Sequence, residues 1–553
     1  MISVNYSKQK NFRNRAILLV LVLFTMQASI AQIAPEKYFV KFTDKSATTF
    51  SLSNPQAFLS QKALDRRSSQ SIAIDSNDLP VVEAYVQQIR NCGQITILYR
   101  SRWLNGVVIQ TTDTAALNCI ESLPVVDTAD SRLIAGKKGS DHYFESTEIT
   151  KDNEIQSNPI YGETEAQITQ INLQRLHNMG YRGNGMTIAV LDNGFRHVDT
   201  SSVFEPLFQE NRIVATRNFV DPQNHDVYDD GGHGTDVLAM MGVDIGFQAI
   251  GAAPEADYML IVTEDNGGEN IIEEYNWIAG AEFADSAGAD IINSSLSYTE
   301  FDDPGQSHTY SEFDGQSTVA ARGANFAASR GMLIVVSAGN FGNDPWQKIS
   351  TPADADDALA IGSVNEDGDW SGFSSLGPAA DGAIKPNVVA RGSQAAIPSP
   401  TNIGQIERVT GTSFSSPLIA GAAACLWQGL PNFKWSEIKQ AIEQSGSIYD
   451  NPNNQLGYGI PDFYKAYQLA DAGLLSAEAI NQSRSIKVYP NPARNFIDIE
   501  VINSNPYKIY DARGSLIEIG RVEKQKRINL SDWSAGVYYL KINDRQFPVI
   551  VLE

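Results

Sequence analysis

The chain has 553 residues, 42% of them apolar and 19% charged, which is enough for several folded units and too apolar for a disordered polymer. Its 42 basic and 65 acidic residues leave a net charge of −23, so a nucleic-acid backbone is repelled and no nucleic-acid partner is expected. Three cysteines, and six histidines without an HExxH string, exclude a disulfide scaffold, a four-thiolate zinc site and the commonest zinc-hydrolase pattern.

At the N-terminus Lys8, Lys10, Arg13 and Arg15 precede the apolar run 16–24, and Ser29 and Ala31 place small residues before Gln32. This is the pattern of a signal peptide over 1–31. The run is shorter than the roughly 20 residues that span a bilayer, and no later window is longer, so no transmembrane anchor is expected.

Over 33–133 the pattern predicts a strand at 38–42, helices at about 55–67 and 81–91, strands at 95–99 and 104–111, a helix at 114–121 and a strand at 124–127. With the first two helices taken as one crossover, this is a βαββαβ unit. Cys92 and Cys119 each fall near the end of one of its helices, and in an exported chain they either pair or stay free. Residues 134–166 are polar with little periodicity and read as an exposed, cleavable linker.

From residue 187 short apolar runs at 187–191, 258–262, 290–294, 332–336 and 358–364 alternate with helical spacing at 271–287 and 317–330. Alternation of this kind implies an α/β fold with a mostly parallel sheet covered on both faces. Ligands of such sheets sit beyond the carboxyl ends of the strands. Residues 483–553 carry 11 basic and 8 acidic side chains. Short strands at 486–489, 496–501, 507–510 and 537–542, set apart by turn residues, predict a small β-sandwich there.

Three ends of elements carry reactive groups in the order acid, base, nucleophile. Asp192 follows the first strand of the sheet, His233 stands in Gly231-Gly-His-Gly-Thr235, and Ser413 stands in Gly411-Thr-Ser-Phe-Ser-Ser-Pro417 at the start of a small-residue helix. A serine hydroxyl needs an imidazole to take its proton, and a buried carboxylate fixes the imidazole tautomer. A helix N-terminus favours the developing anion, and Pro417 is expected in the first turn, where no intrahelical N–H partner is needed. Asn340, in Val336-Ser-Ala-Gly-Asn340, offers an amide donor to an oxyanion. His142, His177, His197, His225 and His308 lack a comparable frame and read as surface or core histidines.

At these blocks the sequence resembles the subtilisin-like serine proteases. The matching pieces are Ile188-Ala-Val-Leu-Asp-Asn-Gly194, the HGT block, Gly251-Ala-Ala-Pro-Glu-Ala256, Asp290-Ile-Ile-Asn293, the SAGN block, Lys385-Pro-Asn-Val-Val-Ala390, the GTS block and Gly457-Tyr-Gly-Ile460. The resemblance spans about 167–475 and implies a subtilisin-like three-layer catalytic domain. It assigns the triad to Asp192, His233 and Ser413 and the oxyanion amide to Asn340. It also makes Ser295, Leu296 and Ser297, with Ser337, Ala338 and Gly339, the edges that pair with an extended protein or peptide substrate. The family pattern has glycine where this chain has Ser297, a side chain that narrows the primary pocket.

No cofactor is required on this resemblance, although the family often carries structural calcium. The segment 221–230 could supply oxygens for it, but it has no EF-hand-like spacing and reads rather as a solvated acidic loop. The βαββαβ segment is similar to the family's inhibitory prodomains, a ferredoxin-like unit acting as an intramolecular inhibitor. The end of the chain, with Lys487-Val-Tyr-Pro-Asn-Pro-Ala493 and Ala535-Gly-Val-Tyr-Tyr-Leu-Lys-Ile542, resembles C-terminal sorting domains of the type IX secretion machinery. That resemblance implies a protein exported to the cell surface or medium. An α/β-hydrolase esterase is disfavoured because that fold places serine before acid and histidine within G-x-S-x-G. A surface adhesin built on an inactive protease scaffold is the alternative from another class.

Overall fold

The computed structural model describes residues 37–128, 132–135, 160–229, 231–402, 404–475, 486–489, 491, 493–501, 505–511, 515–542 and 545–552. The expected signal peptide, most of the expected linker and His142 lie outside them.

The first unit has strands Lys37–Lys41, Thr96–Ser101, Gly106–Gln110 and Arg132–Ala135 and helices Gln61–Ser69, Glu83–Arg90 and Thr114–Ser122. Its antiparallel sheet runs in the order second, third, first, fourth, as a βαββαβ connectivity requires. The fourth strand lies later than expected: 124–127 contributes a turn, Val126 N–H bonding Leu123 O at 3.0 Å, and one bridge from Val126 to Phe42. Pro124 has no N–H to give to a ladder. Strand alternation sends Val40, Val107 and Ile109 under the unit's own helices, while Phe39, Tyr99 and Val108 join the core of the following domain. Cys92 and Cys119 form a disulfide, which settles the open alternative; Cys425 is free and buried.

The central domain holds a seven-stranded sheet. Its order is Val388–Arg391, Leu359–Val364, Leu333–Ser337, Ile291–Ser294, Thr187–Asp192, Asp257–Val262 and Ile213–Asn218, and every pairing is parallel. The five expected strands form its middle, and each is buried almost throughout. The two edge strands were not expected. Ile213–Asn218 is only partly buried along most of its length and ends in polar residues, and Val388–Arg391 is only four residues long, just after Pro386. Neither presents the long apolar run that marks a strand buried on both faces. Helix Thr412–Gly429 packs with His233–Gly242, and Ile272–Ala287 with Val319–Ser329.

The first unit sits on helix Ile272–Ala287. Phe39 packs on Tyr275 with ring centroids 4.9 Å apart, Tyr99 OH donates to Asn276 Oδ1 at 2.6 Å, and Glu282 accepts the backbone N–H groups of Arg102 and Trp103 at 2.8 and 3.2 Å.

Among the described residues the C-terminal unit has seven strands in a three-stranded and a four-stranded sheet around one core. Three of them were missed in the sequence: Leu516–Val522, Gln525–Asn529 and Arg545–Val551. The second buries only Ile528, and the third contains Pro548 and is an edge strand, where proline is tolerated.

Candidate active site

Asp192 is the last residue of the inner strand Thr187–Asp192 and is fully buried. Its Oδ1 accepts the Asn193 backbone N–H at 2.8 Å and lies 2.8 Å from His233 Nδ1. His233 is the first residue of helix His233–Gly242. The helix starts this close because residue 234 is glycine: a Cβ there would stand 2.5 Å from Gly194 O and 2.9 Å from Asp192 Cβ. Burial alone would lower the His233 pKa, but the Asp192 carboxylate and, behind it, Asp236 outweigh that and raise it above its ordinary value.

Ser413 is the second residue of helix Thr412–Gly429, after Gly411 at φ +150° and ψ 155°, a conformation essentially reserved for glycine. The His233 ring packs against Phe414, the next residue after Ser413, with centroids 5.9 Å apart. The Ser413 hydroxyl donates to Ser295 O at 3.3 Å. Pro417 lies in the second turn of the helix, not the first as expected. It therefore leaves the Ser413 carbonyl without its i+4 N–H, and the Ser295 hydroxyl takes that place at 2.9 Å.

Asn340 follows the strand Leu333–Ser337. Its Oδ1 accepts both the backbone N–H and the hydroxyl of Thr412, each at 2.9 Å. The amide is thereby oriented, with Nδ2 only 3.5 Å from where a Cβ on Gly411 would stand. An amide donor and the first-turn N–H groups of a helix, which have no intrahelical acceptor, thus share one neighbourhood.

Ser295, Leu296 and Ser297 leave the sheet beside Ser337, Ala338 and Gly339, because their strands are parallel neighbours. Ser337 Oγ donates to Leu296 O at 3.5 Å. Ala338 N–H bonds Ile361 O at 2.9 Å and Gly339 O accepts Ser375 N–H at 3.0 Å, so the second edge is tied into the domain. Leu296 is buried and Ser297 is partly exposed.

Sequence reasoning missed the groups that position these residues. Thr412 orients Asn340. Asn293 Nδ2 donates to Ser295 Oγ at 3.2 Å, and its Oδ1 accepts Ser416 Oγ at 2.9 Å. Asn266 exchanges hydrogen bonds with Asn193, next to Asp192, at 3.0 and 3.2 Å. Thr412, Asn193 and Asn293 lie in blocks that carry the resemblance, but no positioning role is read from them; nothing in the sequence marks Asn266.

The acidic segment after residue 220 folds on itself. Asp221, Asn224 and Asp226 accept backbone N–H groups two residues ahead at 3.1, 3.0 and 2.8 Å. Among the described residues no group of three or more His, Cys, Asp or Glu side chains is arranged to hold a metal ion. His177 is a core histidine between Tyr161 OH at 3.0 Å and Ala252 O at 3.1 Å, its pKa driven down to about 4 chiefly by burial. His308 bonds Glu274 at 2.5 Å.

Residues 183–459 match the model of the subtilase family, 37–144 the peptidase S8 propeptide domain of Bacteroidota, and 487–550 the secretion system C-terminal sorting domain. The chain is similar to a thermostable alkaline protease of Halalkalibacterium halodurans, 27% identical over 352 residues, 63% of this chain and 84% of that protein. It is also similar to subtilisin NAT of Bacillus subtilis subsp. natto, 28% identical over 289 residues, 51% of this chain and 66% of that one. Among solved structures, MycP1 from Mycobacterium smegmatis aligns at 21% identity with a TM-score of 0.45 over 58% of this chain and 89% of that one. Among the described residues no helix is long and apolar enough to cross a membrane. The chain belongs to the subtilase family: it is a subtilisin-like serine protease with a propeptide and a C-terminal secretion sorting domain, exported to the cell surface or medium.

Proposed function

We propose that the chain is an endopeptidase acting through Asp192, His233 and Ser413, with Asn340 as oxyanion donor. The Ser413 hydroxyl turns from Ser295 O and attacks the peptide carbonyl while His233 takes its proton. Asp192 holds the ring through Nδ1 and stabilises the imidazolium. The tetrahedral oxyanion is met by Asn340 Nδ2–H and the Ser413 backbone N–H. His233 then protonates the leaving amine, and water, activated by the same imidazole, hydrolyses the acyl ester. The observation that carries this reading is the 2.8 Å contact between the buried Asp192 carboxylate and His233, on the same side of the sheet as a helix start whose serine is flanked by an oriented amide.

Substrates are protein chains held extended between Ser295–Ser297 and Ser337–Gly339. Ser297 trims the primary pocket and favours smaller side chains at the cleaved residue. No step needs a cofactor. In the domain scheme that fits this reading, 1–31 is the signal peptide, 33–133 the inhibitory prodomain, 134–166 the linker cut on maturation, 167–475 the catalytic domain and 483–553 the domain read by the type IX machinery.

The decisive experiment follows casein cleavage and self-cleavage in wild type and Ser413→Ala. Both activities vanish in the variant while its circular dichroism is unchanged. A variant that digests casein at the wild-type rate removes the assignment.

A further inference from the structure

Strand Ile291–Ser294 does not lead directly into the helix that follows it in the chain. Between the first substrate edge, Ser295–Ser297, and helix Val319–Ser329 lies an insert, residues 299–317. The Ser295 end of that edge is fastened to Ser413 by two hydrogen bonds, so an extended substrate moves away from the nucleophile as it passes Leu296 and Ser297. A strand rises about 3.3 Å per residue, so the edge accommodates about three substrate residues and the next one meets the insert.

The insert spans the rim of the sheet. On one side Asp302 N–H donates to Glu269 O at 2.9 Å and Glu269 N–H to Asp302 Oδ2 at 3.2 Å, in the loop after strand Asp257–Val262, two places away in the sheet. On the other side, beyond strands Leu333–Ser337 and Leu359–Val364, Tyr310 OH donates to Pro378 O at 2.7 Å, Ala380 N–H donates to Phe313 O at 2.8 Å, and Phe313 packs on Trp346 with ring centroids 5.4 Å apart. His308 stands in the middle. Its ring lies between Phe301 and Phe313, at centroid distances of 5.6 and 5.7 Å. The side chain is only 7% exposed, and Nε2–H donates to Oε1 of the fully buried Glu274 at 2.5 Å. The other oxygen of Glu274 accepts the N–H of Ala320, in the first turn of helix Val319–Ser329, at 2.7 Å. One carboxylate therefore holds both the middle of the insert and the helix start at which it ends. Without the imidazole that carboxylate is left buried with a hydrogen bond unmade, and the insert loses its central tie.

We propose that His308 and Glu274 are positioning residues for substrate recognition remote from the cut: their pairing holds the insert 299–317 as the far wall of the substrate groove, against which the substrate chain beyond Ser297 is seated. The inference rests on the protease reading above, since the groove is defined by the edges of that reading. The enzyme then favours substrates that extend several residues from the scissile bond over short peptides with the same residues at the cut. Neither His308 nor Glu274 takes part in the chemistry at Ser413.

The test uses the enzyme matured from the full chain, as wild type, His308→Leu and His308→Gln, with two peptides that share the residues around the cut, one extending two residues before it and the other six. The wild type cleaves the longer peptide with the higher kcat/KM. In His308→Leu, which keeps an apolar group between the two phenylalanines and removes the donor, kcat/KM for the longer peptide falls about tenfold while that for the shorter stays within about twofold. His308→Gln, whose amide still donates to Glu274, recovers most of the loss. Should His308→Leu not fold, the wild type alone decides: hydrogen exchange of residues 308–313 slows when a six-residue peptide aldehyde occupies the site and not when a two-residue one does. A wild type without length preference, equal losses for the two peptides, a His308→Gln enzyme as impaired as His308→Leu, or no protection by the longer aldehyde overturns the proposal and leaves proteolysis in place. A wild type that cleaves neither the peptides nor casein overturns the protease reading, and this inference with it.

Discussion

The hydroxyl of Ser295 donates to the carbonyl oxygen of Ser413 at 2.9 Å, and the hydroxyl of Ser413 donates back to the carbonyl oxygen of Ser295 at 3.3 Å. The pairing follows from Pro417, which cannot supply the helical N–H that the Ser413 carbonyl would otherwise accept. One end of the proposed substrate edge is thus fastened to the proposed nucleophile.

Replacing Ser295 by alanine strands a buried carbonyl, at a cost of about 1–3 kcal/mol. Urea unfolding should show this loss for Ser295→Ala, and kcat should fall several-fold with little change in KM, because the backbone edge that binds substrate remains. Ser295→Thr, which keeps the hydroxyl, should recover most of both. If alanine costs no stability, the pairing is incidental.

Asn340 is useful as a donor only while its amide faces one way, and Thr412 fixes that orientation through two bonds of 2.9 Å to Oδ1. Asn340→Ala should lower kcat by about 10²–10³ with KM nearly constant. Thr412→Val keeps the backbone donor and loses the hydroxyl, so its effect should be about tenfold, the worth of one such bond. Measured in Asn340→Ala, the Thr412→Val effect should nearly disappear. Additive losses would show that Thr412 acts by another route.

The pH profile carries a signed prediction. Burial opposes protonation of His233, but Asp192 and Asp236 outweigh it, so its pKa lies above the usual 6.5. A general base must be neutral, so the acid limb of kcat/KM should have its midpoint above the ordinary histidine value. Asp236 is itself pushed up to about 7 chiefly by burial. Asp236→Asn should move the midpoint down and leave the rate at about pH 9 within a few-fold, whereas Asp192→Asn should lower kcat by about 10⁴. Stability runs the other way. A raised histidine pKa contributes fully below the unfolded value, and the contribution is lost as pH rises through the folded value. The His233–Asp192 pair therefore stabilises most where the enzyme is least active. An acid midpoint below 6.5 in the wild type would reverse this account.

What the sequence discloses follows from which physical signals are local. The five inner strands announce themselves because burial on both faces forces continuous apolar runs; the edge Ile213–Asn218 is only partly buried and has no such need, and Val388–Arg391, although buried, is only four residues long. Asp192, His233 and Ser413 are legible through glycine-rich blocks at element ends. The partners that hold them are not, because the contacts join residues 72 apart for Asn340 and Thr412 and 118 apart for Ser295 and Ser413. Asp285 is the extreme case. A polar residue within a helix reads as solvent-facing, yet Arg66, Arg67 and Arg102 of the prodomain lie 219, 218 and 183 positions away and remove it from water entirely.

The disulfide Cys92–Cys119 bears on the same prodomain. It joins the end of helix Glu83–Arg90 to helix Thr114–Ser122, across 27 positions, over the sheet face that buries Val40, Val107 and Ile109. Closing a loop of that length stabilises by about 3–4 kcal/mol, mainly by restricting the unfolded chain. Cys92→Ser with Cys119→Ser should therefore lower the unfolding free energy read from the prodomain's urea transition by that amount in a Ser413→Ala chain, and leave the catalytic-domain transition in place. Dithiothreitol added to the parent chain should reproduce the shift and add nothing to the double variant. Since the helices it ties cover the sheet that lies on Ile272–Ala287, trypsin should also remove the prodomain faster from the reduced protein. Equal removal rates would mean that the catalytic surface, with Asp285 at its centre, stabilises the prodomain enough to make the covalent tie redundant.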